Sequence, residues 1–380
     1  MQLSPVLTEM ATYPFVRLDA AKQDARARGV ELIDFGMGDP REPTDPLIRQ
    51  ALVDGVAERM TYPTAAGLPE LRRAIAGWVE RRFGVALEPD VELIPTLGSK
   101  EAIFSFAQVA LDSRGDKRLV VIGDPGYPVY ERGALFAGGE PILIPLREEN
   151  EFLPDLDAID FWERIAIFWV NYPNNPTGAT APLAFYEQLA ERARRHDFLL
   201  CSDEAYSELW FEQPPASALQ VSDRHNVVVF NTLSKRSSMT GYRSGFVAAE
   251  PEVIAALRKF RPTVGTAPQE FVQRASIVAW GDEAHVEQTR AVYRSKRELI
   301  EPVLRERGLR LAGSRATFFL WIAVPEGETS ESWAARLLEH GVVVAPGSYL
   351  GSAGEGYVRL ALVPSEQECR RAAEILREVL

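Results

Sequence analysis

Thiols and imidazoles are scarce in this 380-residue chain, which has two cysteines and four histidines. Two cysteines make no disulfide framework. Cys201, at the end of the apolar run from Phe198, reads as a small buried side chain rather than a reactive thiol. The histidines, at 196, 225, 285 and 340, lie in polar surroundings where exposure is expected. None pairs with a cysteine or carboxylate at ligand spacing, so no metal is expected. Positive charge is also short: 42 Lys and Arg against 54 Asp and Glu leave a net −12. That balance speaks against nucleic acid or an anionic membrane as partner, although local arginines can still bind an anionic substrate. No run approaches the ~18 apolar residues of a membrane span. Met1 to Met10 shows no basic stretch leading into an apolar one, so no signal peptide is read and the cytoplasm is the expected compartment. A Gly-X-Ser-X-Gly elbow and a Walker-type loop are missing too, which removes two common hydrolase and nucleotide-binding chemistries.

What is there is an ordinary globular composition long enough for two domains. Short apolar runs alternate with helical patterns, the signature of an α/β protein with a largely parallel sheet. Strands are expected at 118–122, 165–170, 198–201, 227–230 and 245–248. Helices are expected from Ser99 to Leu111, Leu183 to His196, Gln269 to Trp280 and Glu283 to Glu306, the last long enough to link two domains. After Gly308 the texture turns α+β, with strands at 317–323 and 357–363 and helices at 330–340 and 365–380. Polar clusters follow several strands, where open α/β sheets bind ligands. Asn175, Asp203 and Lys235 therefore converge on one site if the strands are neighbours.

The segment Asn231 to Gly245 carries the chemistry. Lys235 follows an apolar run and Arg243 comes eight residues later, between Gly241 and Gly245. A lysine at a strand end forms a Schiff base with a carbonyl when its site lowers its pKa. An arginine clamps phosphate through paired hydrogen bonds. Pyridoxal 5'-phosphate needs both groups. Alone, Lys235 would read as a solvated lysine; Thr232, Ser234 and Arg243, all donors suited to phosphate, reverse that, with the glycines permitting close backbone approach. Asp203 reads either as a helix cap or as the acid that keeps a cofactor ring nitrogen protonated, an electron sink. Tyr206, three residues on, is placed to donate to the ring's phenolate oxygen. Asn175 lies in an Asn-Pro turn that aims its amide at the same oxygen. Ser99 and Lys100 open a helix whose free N–H groups suit phosphate. Tyr127 reads as a ring-stacking or core aromatic and Tyr62 as a loop tyrosine. Arg359, a charge inside an apolar strand, is either solvent-facing or a clamp for a carboxylate.

Together these motifs resemble those of the class I/II aminotransferases, fold type I pyridoxal-phosphate enzymes, over nearly the whole chain from Gly36–Pro40 to Arg359. The resemblance implies a large domain (46–285) with a mostly parallel seven-stranded sheet and a small α+β domain built from both chain ends (1–45 and 286–380). It implies a homodimer with shared active sites. Residue by residue, it implies that Lys235 is the Schiff-base lysine and proton carrier and that Asp203 pairs with the pyridine nitrogen. Asn175 and Tyr206 would contact the phenolate oxygen. Ser99, the Lys100 backbone, Thr232 and Arg243 would hold the phosphate, with Tyr62 reaching it from the partner subunit. Tyr127 would stack on the ring, and Arg359, Asn175 and the Gly38 backbone would meet the substrate. The family usually has serine where Thr232 stands; the hydroxyl is kept. Residues 62–67, 98–101 and 234–243 are most similar to succinyldiaminopimelate aminotransferases, implying N-succinyl-diaminopimelate and 2-oxoglutarate as substrates in a ping-pong reaction. Aspartate, alanine or another amino acid as substrate, a β-lyase or a racemase use the same cofactor residues. A cofactor-free aldolase would leave Arg243 and Asp203 unexplained, and a binding module such as half of a transcription regulator would need a DNA-binding segment.

Overall fold

The computed structural model describes residues 3–9 and 15–380; Met1 and Met10, the ends of the stretch read as leaderless, lie outside them. Seven strands form the central sheet in the spatial order Leu93–Thr96, Gly245–Ala249, Val227–Thr232, Leu199–Asp203, Ile165–Asn171, Leu119–Asp124 and Glu140–Pro145. The Gly245–Ala249 strand runs antiparallel to both neighbours and the other pairings are parallel. Such a sheet is buried on both faces, which is why its strands read as continuous apolar runs. Successive residues serve opposite faces: Trp169, Cys201 and Phe230 pack beneath helices Ser99–Ala110 and Val129–Phe136, while Phe168, Leu200 and Val229 join the core on the other side. Cys201 is fully buried there, and burial pushes its thiol pKa up, which makes it inert.

Four strands run further than their apolar runs and end on Asp124, Asn171, Asp203 and Thr232. Backbone pairing continues past the point where side-chain character changes, as in the Asn171–Asp203 and Thr232–Gly245 registers. The ladder therefore carries polar side chains to the buried carboxyl edge. The Glu140–Pro145 strand is absent from the sequence reading. It is an edge strand with Pro141 and Pro145, residues a central strand would not accommodate. Helices Pro46–Asp54, Pro69–Phe83 and Pro251–Val264 each begin on a proline, whose missing N–H costs nothing in the first turn.

The second unit of structure joins distant stretches. Ile33–Asp34 pairs in parallel with Val342–Val343, and an antiparallel sheet has the order Ala345–Pro346, Tyr357–Ala361, Phe319–Ala323, Leu311–Ala312. The 23-residue helix Ala284–Glu306 packs on the C-terminal helix Glu366–Val379 beside it. Among the described residues no helix is long and apolar enough to cross a membrane, and no group of three or more His, Cys, Asp or Glu could hold a metal.

Candidate active site

The carboxyl edge of the central sheet opens into a cleft of about 310 Å³ that also receives Gly38, Phe319 and Arg359 from the smaller unit. Lys235 enters it from the short helix Leu233–Arg236, directly after the Val227–Thr232 strand. Its ammonium donates to the Gly38 carbonyl at 2.8 Å. Burial pulls its pKa down to about 8; the Asp39 carboxylate works against that, and Arg359, Arg243 and Lys100 add to it. A lysine so depressed holds a neutral fraction near neutral pH that an ordinary lysine lacks, which Schiff-base chemistry requires.

Asp203 is buried at the strand end. Its Oδ2 accepts from the Tyr130 hydroxyl at 2.7 Å and its Oδ1 from the Ala205 N–H at 3.1 Å. Burial pushes its pKa up to about 6, with both donors opposing. Asn171 fastens this edge: its amide donates to the Asp203 carbonyl at 2.9 Å, and its oxygen accepts the Asn175 N–H at 2.9 Å. Tyr206 is buried against Phe318 and Phe319, and burial raises its pKa, so its hydroxyl stays a donor.

An anion cradle lies beside Lys235. Ser99 and Lys100 start the 12-residue helix Ser99–Ala110, whose first N–H groups have no intrahelical acceptor. The Arg243 guanidinium crosses this point, donating to the Leu97 and Thr240 carbonyls at 3.2 and 2.8 Å. A Cβ on Gly245 would fall 2.4 Å from the Asn231 carbonyl and 3.1 Å from Ser99 N, so only glycine lets the strand approach. Gly241 has open space around its Cβ position, and the close approach expected there does not occur. The Thr232 hydroxyl is already engaged: it caps the short helix by accepting Ser234 N–H at 3.1 Å and lies 2.9 Å from the Ser244 carbonyl. Ser234 Oγ, 2.9 Å away and also in the cleft, belongs with the cradle.

Arg359 faces inward: it is buried, donates to Asn175 Oδ1 at 2.9 Å and to the Gly36 carbonyl at 2.8 Å, and lies 4.5 Å over the Phe319 ring. The solvent-facing alternative does not hold, because Trp321↔Arg359 and Ala345↔Arg359 pairing turns that face to the cleft. With Asn175 Oδ1 committed to Arg359, the amide N–H2 of Asn175 is the part free to act as donor. Tyr127 lines the cleft with Lys100 Nζ 5.9 Å from its ring centre.

Tyr62 is fully exposed and does not line this chain's own cleft, where it was not expected to reach. One expectation meets a different outcome. His285, expected to be exposed, is buried between Asp282 and Ser237, at 2.6 and 2.8 Å, with its pKa lowered by burial. It lies at the start of a helix that looks polar only along its outer face. The sequence reading missed Tyr130, Asn171 and the charge of Asp39. Tyr130 was legible in principle, since it follows Tyr127 by three residues across the start of helix Val129–Phe136, and the two rings meet at 5.7 Å.

These donors fit an aldehyde-bearing ring with a phosphate. The family model "Aminotransferase class I and II" matches residues 30–376. LL-diaminopimelate aminotransferase of Aquifex aeolicus is 41% identical over 386 residues, covering 100% of this chain and 99% of the relative. The crystal structure of an aminotransferase from Neisseria meningitidis superposes with a TM-score of 0.91 at 35% identity, covering 100% of both chains. A probable N-succinyldiaminopimelate aminotransferase from Thermus thermophilus gives 0.89 at 33%, covering 96% of this chain and 100% of that one. The chain belongs to the class I and II aminotransferases and is a pyridoxal-phosphate-dependent enzyme of fold type I.

Proposed function

We propose that this aminotransferase takes its amino group from a diaminopimelate-type amino acid and passes it to 2-oxoglutarate, as a cytoplasmic homodimer. The observation that carries the substrate is the charge left over in the cleft. Once Lys235, Asp203, Arg243 and Arg359 are assigned to the reacting groups, Asp39 and Lys100 remain among the described residues, one anion and one cation. That pair matches a second amino-acid head, as at the far end of LL-diaminopimelate, the substrate in the name of the Aquifex relative. The second reading is N-succinyl-diaminopimelate, favoured by residues 234–243 and by the name of the Thermus structure.

In this reading the 46–285 unit carries the cofactor and residues 1–45 with 286–380 close over it. Pyridoxal phosphate, when bound, supplies the ring that withdraws electrons from the substrate Cα. Ser99, the Lys100 N–H, Ser234 and Arg243 hold its phosphate, with Thr232 shaping that cradle and Tyr62 of the second copy completing it. Tyr127 would cover one ring face. Asn175 N–H2 and the Tyr206 hydroxyl would donate to the phenolate oxygen, and Asp203 would hold the proton on the ring nitrogen. Arg359 grips the α-carboxylate beside Gly38. Lys235, whose pKa burial pulls down to about 8, would be the group that takes the proton from the substrate Cα and carries it.

The test is a substrate panel. Turnover of LL-diaminopimelate with 2-oxoglutarate, exceeding that of N-succinyl-diaminopimelate, aspartate and alanine in kcat/KM, supports the first reading. Preference for the succinylated compound selects the second. Pyruvate and ammonia formed without a 2-oxo acid acceptor would make the protein a β-lyase instead.

A further inference from the structure

Tyr130 lies outside every role assigned so far, although it makes the shortest polar contact to the Asp203 side chain. It sits in the first turn of helix Val129–Phe136, three residues after Tyr127, buried, with its ring stacked on Trp169 at 4.9 Å and 21°. That stacking fixes the ring, and the hydroxyl meets Asp203 Oδ2 at 2.7 Å. Both partners are buried, and the other carboxylate oxygen accepts only one backbone N–H, from Ala205.

We propose that Tyr130 is a positioning residue that keeps Asp203 ionised against its burial and so holds the proton on the ring nitrogen of the bound cofactor. The proposal rests on the reading that Asp203 faces that nitrogen. The direction of the hydrogen bond is set by chemistry. Burial and the nearby Asp203 charge raise the Tyr130 pKa well above its ordinary value, so the phenol keeps its proton and can only donate. A carboxylate receiving a donor is stabilised as the anion. Burial by itself drives Asp203 the other way, towards a neutral acid that would compete with the ring nitrogen for the proton. Two donors against burial leave Asp203 near 6, anionic at neutral pH. Without the Tyr130 hydroxyl, one charge-assisted bond is lost and the neutral acid gains.

The consequence is a preference that can be measured by binding. An anionic Asp203 favours pyridoxal phosphate over its 1-deaza analogue, which carries C–H in place of the ring nitrogen and offers the buried carboxylate no charged N–H. A neutral Asp203 tolerates both. The experiment titrates cofactor-stripped full-length protein with pyridoxal phosphate and with the 1-deaza analogue. In Tyr130→Phe, which keeps the ring and its stacking, the wild-type preference should shrink by ~10-fold, the scale of one hydrogen bond to a charged group. In the Asp203→Asn background, Tyr130→Phe should change nothing further. A merely structural Tyr130 would weaken both ligands equally and leave the ratio intact, which overturns the proposal. No preference in the wild type would instead overturn the placement of Asp203 at the ring nitrogen. Should Tyr130→Phe fail to fold, 3-fluorotyrosine at 130, a stronger donor, should raise the preference, and an unchanged or lower ratio overturns the proposal.

Discussion

Lys235 Nζ donates to the carbonyl of Gly38 at 2.8 Å, joining the end of a central strand to a residue 197 positions earlier. The bond holds the amine at the boundary between the two units of the fold. There Asp39, the next residue, favours the charged amine and three cations oppose it.

Lys235 should therefore titrate far below an ordinary lysine. In cofactor-stripped protein, reductive trapping of a small aldehyde at Lys235 should show a midpoint near pH 8. Asp39→Asn removes the anion that raises the pKa, so the midpoint should move lower. The linked stability effect follows from proton counts. Between about 8 and the ordinary 10.5 the unfolded chain holds more protons than the folded one, so this group makes the protein more stable as pH rises through that window. A trapping midpoint near 10.5 would refute the burial argument.

Lys235→Ala should abolish the borohydride-reducible covalent link between cofactor and chain, shift the absorption of the loaded protein to that of the free aldehyde, and lower turnover by ~10³-fold or more. Its thermal unfolding temperature without cofactor should not fall, since a desolvated amine is removed. Absorption and turnover spectrophotometry, with calorimetry, check both.

Arg359→Leu leaves Asn175 Oδ1 and the Gly36 carbonyl without their buried donor as well as removing the carboxylate clamp. An expected loss of ~10²-fold or more in kcat/KM corresponds to truncating one side of a buried charge-assisted pair. Arg359→Lys should rescue little, because an ammonium cannot serve two acceptors in the planar geometry of the guanidinium.

Lys100→Met keeps the backbone N–H of the anion cradle and removes only the exposed ammonium. It should lower kcat/KM for diaminopimelate by ~10-fold, as for one charged contact, and leave alanine turnover near wild type. Equal losses for both substrates would place Lys100 in the phosphate site alone.

Gly351 directly follows Leu350, which lines the cleft. Its φ is +143°, and a Cβ there would fall 1.7 Å from Asp124 Oδ1, whose Oδ2 accepts from Ser352 Oγ at 2.6 Å. Gly351→Ala should destabilise the protein by about 1–3 kcal/mol from backbone strain alone, read as a lowered unfolding temperature. Activity should fall too, because Leu350 lines the cleft and accepts the Gly126 N–H at 2.8 Å.

Much of the fold was legible because apolar runs and their polar terminators are local. Helix Leu183–His196 has the bounds its periodicity implies, and the strands are displaced by only one or two residues. The edge strand Glu140–Pro145 was not legible, since its prolines and half-exposed pattern carry no core signal. Residues 236–240 illustrate a different limit. They looked like substrate-family markers, yet Arg236 turns away from the cleft, is buried between Trp78 and Trp280, and donates to Ala279 and Glu283 at 2.6 and 2.7 Å. Their similarity to a subfamily thus reports packing at least as much as substrate.

By itself the sequence determined the cofactor chemistry, because Schiff-base lysine, phosphate arginine and strand-end aspartate are residue types at short spacings after apolar runs. Only the tertiary structure decided which atoms are free to act. Arg359 with Asn175, 184 residues apart, and Tyr130 with Asp203, 73 apart, meet through sheet order and helix packing. Burial, which no local pattern encodes, then moves Lys235 to about 8 and Asp203 to about 6, and turns His285 from an expected surface residue into a buried one.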